Sequence, residues 1–314
     1  MNNETQINQG GQINEQVSGT SVLPSGSALM SETWGLYRSK LATLIGVAIV
    51  PALVMFLFVN FLNMAPEQGG QGGAMLAGWF SFFILAVLVQ IIVYAWGQIA
   101  IIEAVSETGE ITVAESFGRA KRKIGSYIWL IILSSFFVMG GSLLFIIPGM
   151  IFGIWFVFGV YIIVCENEKG FRALLKSREY MRSRTFKVLW RLFVVGFAAL
   201  IGSVVLNVAF MPFGKEMGAS IARLLFAVVV SPFVAAYMYL LFIRLREARG
   251  AFVFEPETKT KVAYIGTALL GFILMPAVLL GILFFKFDEI KATITPMNAY
   301  EEMSEDEGVI ELKP

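Results

Sequence analysis

The stretch from Tyr127 to Cys165, YIWLIILSSFFVMGGSLLFIIPGMIFGIWFVFGVYIIVC, runs for 39 residues without a charge. A bilayer hydrocarbon core is about 30 Å thick, and roughly 20 residues of helix cross it at 1.5 Å each. A single helix of this length would overshoot nearly twofold. Gly140-Gly141 and Pro148-Gly149 interrupt the run, so it reads as two short spans joined by a turn between Gly140 and Met150, near Pro148 or one helical turn before it.

Apolar segments of spanning length lie on both sides of this hairpin. Leu41 to Leu62 and Ala74 to Ala104 precede it; Val188 to Met211, Ala219 to Ile243 and Val262 to Phe285 follow it. The sum is seven spans, an all-α polytopic transmembrane bundle. Composition agrees, at 57% hydrophobic and 15% charged residues, where soluble chains hold about half apolar and a quarter charged. A net charge of +1 gives no electrostatic reason to expect nucleic acid.

The charges lie in alternate connections. Arg38 and Lys40 precede the first span, and Arg119, Lys121, Arg122 and Lys123 separate the second and third. Lys169, Arg172, Lys176, Arg178, Arg182, Arg184 and Lys187 lie between the fourth and fifth, followed by Arg191 just inside the helix, and Arg244, Arg246, Arg249, Lys259 and Lys261 between the sixth and seventh. With Arg191 counted, these connections carry 19 of the 24 basic residues. Cytosolic flanks collect Lys and Arg, which places the amino terminus inside and the carboxyl terminus outside a multi-pass plasma membrane protein.

The expected organisation is a disordered cytosolic tail over 1–28, where no cleavable signal peptide is visible, and a six-span membrane domain over 29–247. A cytosolic linker over 248–261, a seventh helix over 262–286 and an acidic outer tail over 287–314 complete it.

Three connections carry helical periodicity of their own. Thr112 and Glu115 have capping-box spacing, followed by Val113, Phe117, Ala120 and Ile124 on one face. Phe171, Leu174, Leu175 and Met181 form a second stripe, and Met30, Trp34, Tyr37 and Leu41 a third. They read as short interfacial amphipathic helices on the cytosolic side. Arg119, Lys121, Arg122, Lys123, Lys176, Arg178 and Arg182 are the candidates for contact with anionic lipid headgroups or a protein partner.

Polar side chains inside a bilayer are the other candidates: Gln90, Gln98, Glu103, Asn207 and Arg223. Arg223 stands near a span end, where its long side chain reaches toward the boundary, and Glu103 stands where basic loop residues can pair with it. Gly149 and Gly153 form a Gly-x-x-x-Gly spacing that permits close helix approach. The chain has no histidine and one cysteine, Cys165, so the usual neutral-pH general base and multi-cysteine metal sites are absent. No catalytic constellation, cofactor site or metal site is read.

The segment Tyr161-Ile162-Ile163-Val164-Cys165-Glu166-Asn167-Glu168-Lys169-Gly170, with Ala173-Leu174-Leu175-Lys176-Ser177 and Val188-Leu189-Trp190, resembles bacterial proteins that carry the glycerophosphoryl diester phosphodiesterase membrane domain. Glu32-Thr33-Trp34-Gly35-Leu36-Tyr37 is similar to their entry into the first span, so the likeness covers roughly Ser31 to Glu247. The resemblance implies a bacterial inner-membrane domain. Some members continue into a catalytic barrel containing histidines and metal-binding carboxylates, which this sequence lacks, so the phosphodiesterase activity is not carried over. The expected role is that of a non-enzymatic scaffold, accessory or lipid-associated component; the alternative is a small transporter or permease for a lipid-like or amphipathic solute.

Overall fold

The computed structural model describes residues 24–62, 73–182, 184–250, 254, 259–281 and 284, and among these there is no strand. The helices are α1 (Gly26–Ser39), α2 (Leu41–Leu62), α3 (Gly73–Ser106), α4 (Val113–Lys121), α5 (Ile124–Leu144) and α6 (Ile146–Phe156). They continue with α7 (Gly159–Glu166), α8 (Gly170–Met181), α9 (Thr185–Phe210), α10 (Lys215–Leu225), α11 (Ser231–Arg249) and α12 (Lys259–Gly281).

Seven helical runs among the described residues are long and apolar enough to cross a membrane. They are α2, α3, α5, α6 with α7, α9 with its short 3-10 extension, α10 through α11, and α12. Large apolar side chains point outward along them, including Leu57 at 65% exposure, Phe80 at 60% and Phe186 at 86%. A soluble monomer does not tolerate such continuous apolar surface. The chain is an integral membrane protein, and the bilayer covers these faces.

The chain divides into two compact units. One comprises 1–134 with 154–256, the other 135–153 with 257–314. In the first, the ring of buried Pro51 in α2 packs against Gly97 of α3, where a β-carbon would lie 2.5 Å from the proline Cγ. The proline inside α2 is thus seated where its neighbour has no side chain. Pro232 produces a second irregularity. It lacks an N–H, and the helix widens into a π turn over Phe226–Val230 just before it. The Tyr37 hydroxyl donates to the Val229 carbonyl at 3.0 Å, supplying a partner to the disturbed turn.

The break in the apolar run falls at Phe145, so Pro148 lies in the first turn of α6, where a missing N–H costs little. Within the second unit, Gly141 faces Phe152 and Gly149 faces Ser142, which shows the chain doubling back at that break. Gly149 is therefore used in the turn itself, while a β-carbon on Gly153 would meet nothing within 4 Å. The two glycines do not form one helix-crossing seam within this chain.

Three expectations shift. Helix α1 starts at Gly26, capped by the Ser25 hydroxyl, inside the stretch 1–28 read as a tail. Its buried face is Leu29, Thr33 and Tyr37, while Trp34 is exposed; of the two aromatics expected at the headgroup layer, Tyr37 is turned inward. Thr33 is accommodated there because its hydroxyl donates to the Leu29 carbonyl at 2.7 Å and needs no outside partner. The amphipathic segment over 112–124 ends at Lys121, and Ile124 opens the next span instead. Residues 1–23, half of the linker over 248–261, the 63–72 connection and the acidic tail over 287–314 lie outside the described residues.

Candidate functional site at the basic end

Within the first unit, the basic connections meet at one end of the helices. The capping box at Thr112 forms as its spacing implies: the Thr112 hydroxyl accepts from the Glu115 amide, and the Glu115 carboxylate accepts from the Thr112 amide at 2.9 Å. That backbone hydrogen bond, followed by the one from the Thr112 hydroxyl, holds the Glu115 carboxyl below its usual range. The apolar face of α4 turns into the bundle. Ser116 and Ala120 are buried, and Phe117 meets Trp96 edge-on at 5.0 Å while its carbonyl accepts from the indole N–H at 2.8 Å. Val113 lies against Gly46 of α2. Of the two surroundings open to this face, lipid or the bundle, it is the bundle, through α2 and α3, that it meets.

The end of α3 is closed by the preceding corner. The Lys40 ammonium donates to the carbonyls of Ala104 and Glu107, and Thr43 donates to Ile111. A cation at a helix C-terminus satisfies orphan carbonyls and complements the helix dipole. Burial pulls the Lys40 pKa down, against the opposing Glu107 charge. On the other side Arg119 bonds the Glu107 carboxylate, which holds that carboxyl below its usual range.

Lys123 pairs with buried Glu103 at 2.6 Å and donates to the Val164 carbonyl at 2.8 Å, joining three stretches of chain. Helix α7 then ends at Asn167 in the left-handed conformation, φ 56°. Gly170 also has positive φ, +54°, with the Trp129 ring where a β-carbon would point. Past this turn a chain of groups follows: Tyr180 donates to Glu166 at 2.7 Å, Lys176 bridges Glu166 at 2.7 Å and Glu168 at 3.6 Å, and Arg172 binds Glu168 at 3.0 Å. The Arg172 hydrogen bond leads the causes that lower the Glu168 pKa, and burial, with the hydrogen bond to Glu166, raises that of Tyr180.

Helix α8 is more embedded than an interfacial helix. Ala173, Leu174, Leu175, Ser177, Tyr180 and Met181 are all buried. Ser177 repairs the break between α6 and α7, accepting from the Phe158 amide at 3.2 Å and donating to the Trp155 carbonyl at 2.6 Å. Arg178 lies over the Trp155 ring, 4.8 Å from its centroid. Glu179 receives Arg249 and, at 3.7 Å, Arg182. Arg244 joins Glu32 at 2.5 Å and Glu247 at 3.0 Å.

The candidate cations therefore separate into two groups. Arg119, Lys123, Lys176, Arg178 and Arg182 have partners within the chain. Lys121 and Arg122 are exposed, with no carboxylate at ion-pair distance among the described residues.

The intramembrane polar residues do not converge. Gln90 donates to Met55 Sδ at 3.2 Å, Gln98 is half-buried, Glu103 belongs to the Lys123 pair, and exposed Asn207 donates to its own helix at Ser203. Arg223 lines a cavity of about 30 Å³ with Asn60 and Ser220. That is room for a water or two, far below the roughly 300 Å³ of a small-molecule pocket. Among the described residues, no group of histidine, cysteine and carboxylates is arranged to hold a metal. Comparison with protein-family models, curated proteins and solved structures gives no match.

Proposed function

We propose that this integral membrane protein is a non-enzymatic, lipid-associated accessory component whose basic end engages anionic headgroups on the cytosolic side of a bacterial inner membrane. The observation that carries this reading is the division among the cations. Partners within the chain occupy the other candidate cations, whereas Lys121 and Arg122 remain outward at the end of a helix whose apolar face is already packed. The resemblance of Tyr161–Gly170 to the glycerophosphoryl diester phosphodiesterase membrane domain supports the same compartment. The positive-inside distribution supports an inward amino terminus.

Each basic residue near an anionic leaflet contributes about 1 kcal/mol, reduced by salt. Full-length K121Q/R122Q in nanodiscs or detergent is expected to bind phosphatidylglycerol roughly tenfold more weakly than wild type, with the difference shrinking as salt rises. Equal, salt-insensitive binding by both proteins contradicts the reading.

One feature favours the permease alternative: an open apolar groove of about 370 Å³ between α2 and α3, lined by residues that include Leu57, Phe58, Phe61, Phe82 and Leu85. Transbilayer movement of a fluorescent lipid faster in proteoliposomes than in protein-free liposomes would support it over the accessory role.

A further inference from the structure

The geometry points to a second anion-binding site, at the end of the first unit opposite the basic loops, where Arg223, braced by Ser220, binds the phosphate of a phospholipid from the far leaflet. Arg223 stands eight residues into the run that begins at Lys215. From Arg223 to Arg244, which pairs with Glu32 at the basic end, is 21 residues of nearly continuous helix. That is about 32 Å, close to one hydrocarbon thickness. Asn60, on the same cavity, lies two residues from the end of α2 that is remote from Lys40. Both side chains are thus at the depth of the far glycerol and phosphate layer.

The chemistry follows from what surrounds the guanidinium. Arg223 is exposed on a face that the bilayer covers, and no carboxylate lies at ion-pair distance among the described residues. Its one hydrogen bond described is to the Ser220 hydroxyl at 3.1 Å, and Ser220 is itself buried. Asn60 spends an amide proton on the Phe56 carbonyl at 2.8 Å. Snorkelling explains where the cation goes but not which anion pairs with it there. A planar guanidinium with five donors matches a phosphate, which the adjoining leaflet supplies at this depth. The cavity is too small to admit a headgroup, so the phosphate sits at its mouth, with Met55, Phe56 and Val59 beside the glycerol and first methylenes.

The test uses full-length protein in detergent, titrated with phosphatidylglycerol, with diacylglycerol and with inorganic phosphate, and bound lipid counted by native mass spectrometry. R223Q is expected to bind one phosphatidylglycerol fewer, or that one about tenfold more weakly, and R223K to recover part of the loss. The same difference should persist in the K121Q/R122Q background, because the two sites lie at opposite ends. Diacylglycerol should not distinguish wild type from R223Q, and inorganic phosphate should not displace the lipid. Matching phosphatidylglycerol titrations for wild type and R223Q, with both monodisperse and of similar melting temperature, would overturn the proposal. So would displacement by inorganic phosphate, which would make the site one for a soluble anion.

Discussion

Replacing Lys123 with Met is expected to destabilise the protein by about 3 kcal/mol, the lower end of the range for breaking a buried ion pair. Glu103 is 7% exposed, and its carboxylate accepts from Lys123 at 2.6 Å. The truncation leaves a buried anion with nothing to offset its desolvation, and the Val164 carbonyl loses its Lys123 donor. The value sits at the lower end because the Lys123 side chain keeps 24% of its exposure, so some water reaches the site. Neutralising the other partner as well, in E103Q/K123M, should recover most of the loss, since an uncharged pair carries no unpaired charge. Thermal unfolding in detergent, followed by tryptophan fluorescence, reads both values. A single variant within 1 kcal/mol of wild type would show that the pair is not what joins α3, the start of α5 and the end of α7.

An effect of similar size is expected in the second unit. A β-carbon on Gly271 of α12 would fall onto the Gly140 carbonyl oxygen and within 3.2 Å of the Leu144 amide nitrogen. Those atoms are backbone and cannot swing aside, so Gly271→Leu forces the helices apart at a cost of about 3 kcal/mol, with Gly271→Ala already costing about 1–2 kcal/mol. Gly266 on the same helix is the internal control, because a β-carbon there meets nothing within 4 Å. Gly266→Ala should leave stability unchanged or raise it by up to about 1 kcal/mol, as expected for replacing glycine in a helix. Equal effects at the two positions would mean that helix propensity, not close approach, sets the outcome.

The spans were legible because their signal is bulk hydropathy over a fixed length. Leu41–Leu62 emerges with the expected boundaries, and the Tyr127–Cys165 run breaks within the expected window. The capping box at Thr112 was legible because it is local, with both partners within three residues. The orientation of α1 was not. The spacing of Met30, Trp34, Tyr37 and Leu41 gives a helix but not which face packs inward, and Thr33 packs inside by bonding its own helix while Trp34 stays outside. The α6–α7 break was hidden for a different reason. Neither Val157 nor Phe158 is a helix breaker, and the group that stabilises the break, Ser177, lies about 20 residues away.

The candidate site was legible in charge and in the pairing of Glu103 with a basic loop residue, but not in which cation takes which carboxylate. Sequence spacing placed Arg119, Lys121, Arg122 and Lys123 in one basic connection, yet only tertiary structure assigns Arg119 to Glu107 and Lys123 to Glu103 and leaves Lys121 and Arg122 outward. The same holds for Tyr180, which sequence patterning left unremarked and which closes on Glu166.

The proposed function requires that the basic end and the Arg223 end lie at opposite membrane surfaces, with the basic end inside the cell. Single cysteines at Lys121 and Met217, in a C165S background that removes the native thiol, test this directly with a membrane-impermeant maleimide on intact and permeabilised cells. Met217 is 65% exposed and near the start of α10, so it is expected to label in intact cells, while Lys121 labels only after permeabilisation. Labelling of Lys121 in intact cells, with or without Met217, would contradict the account.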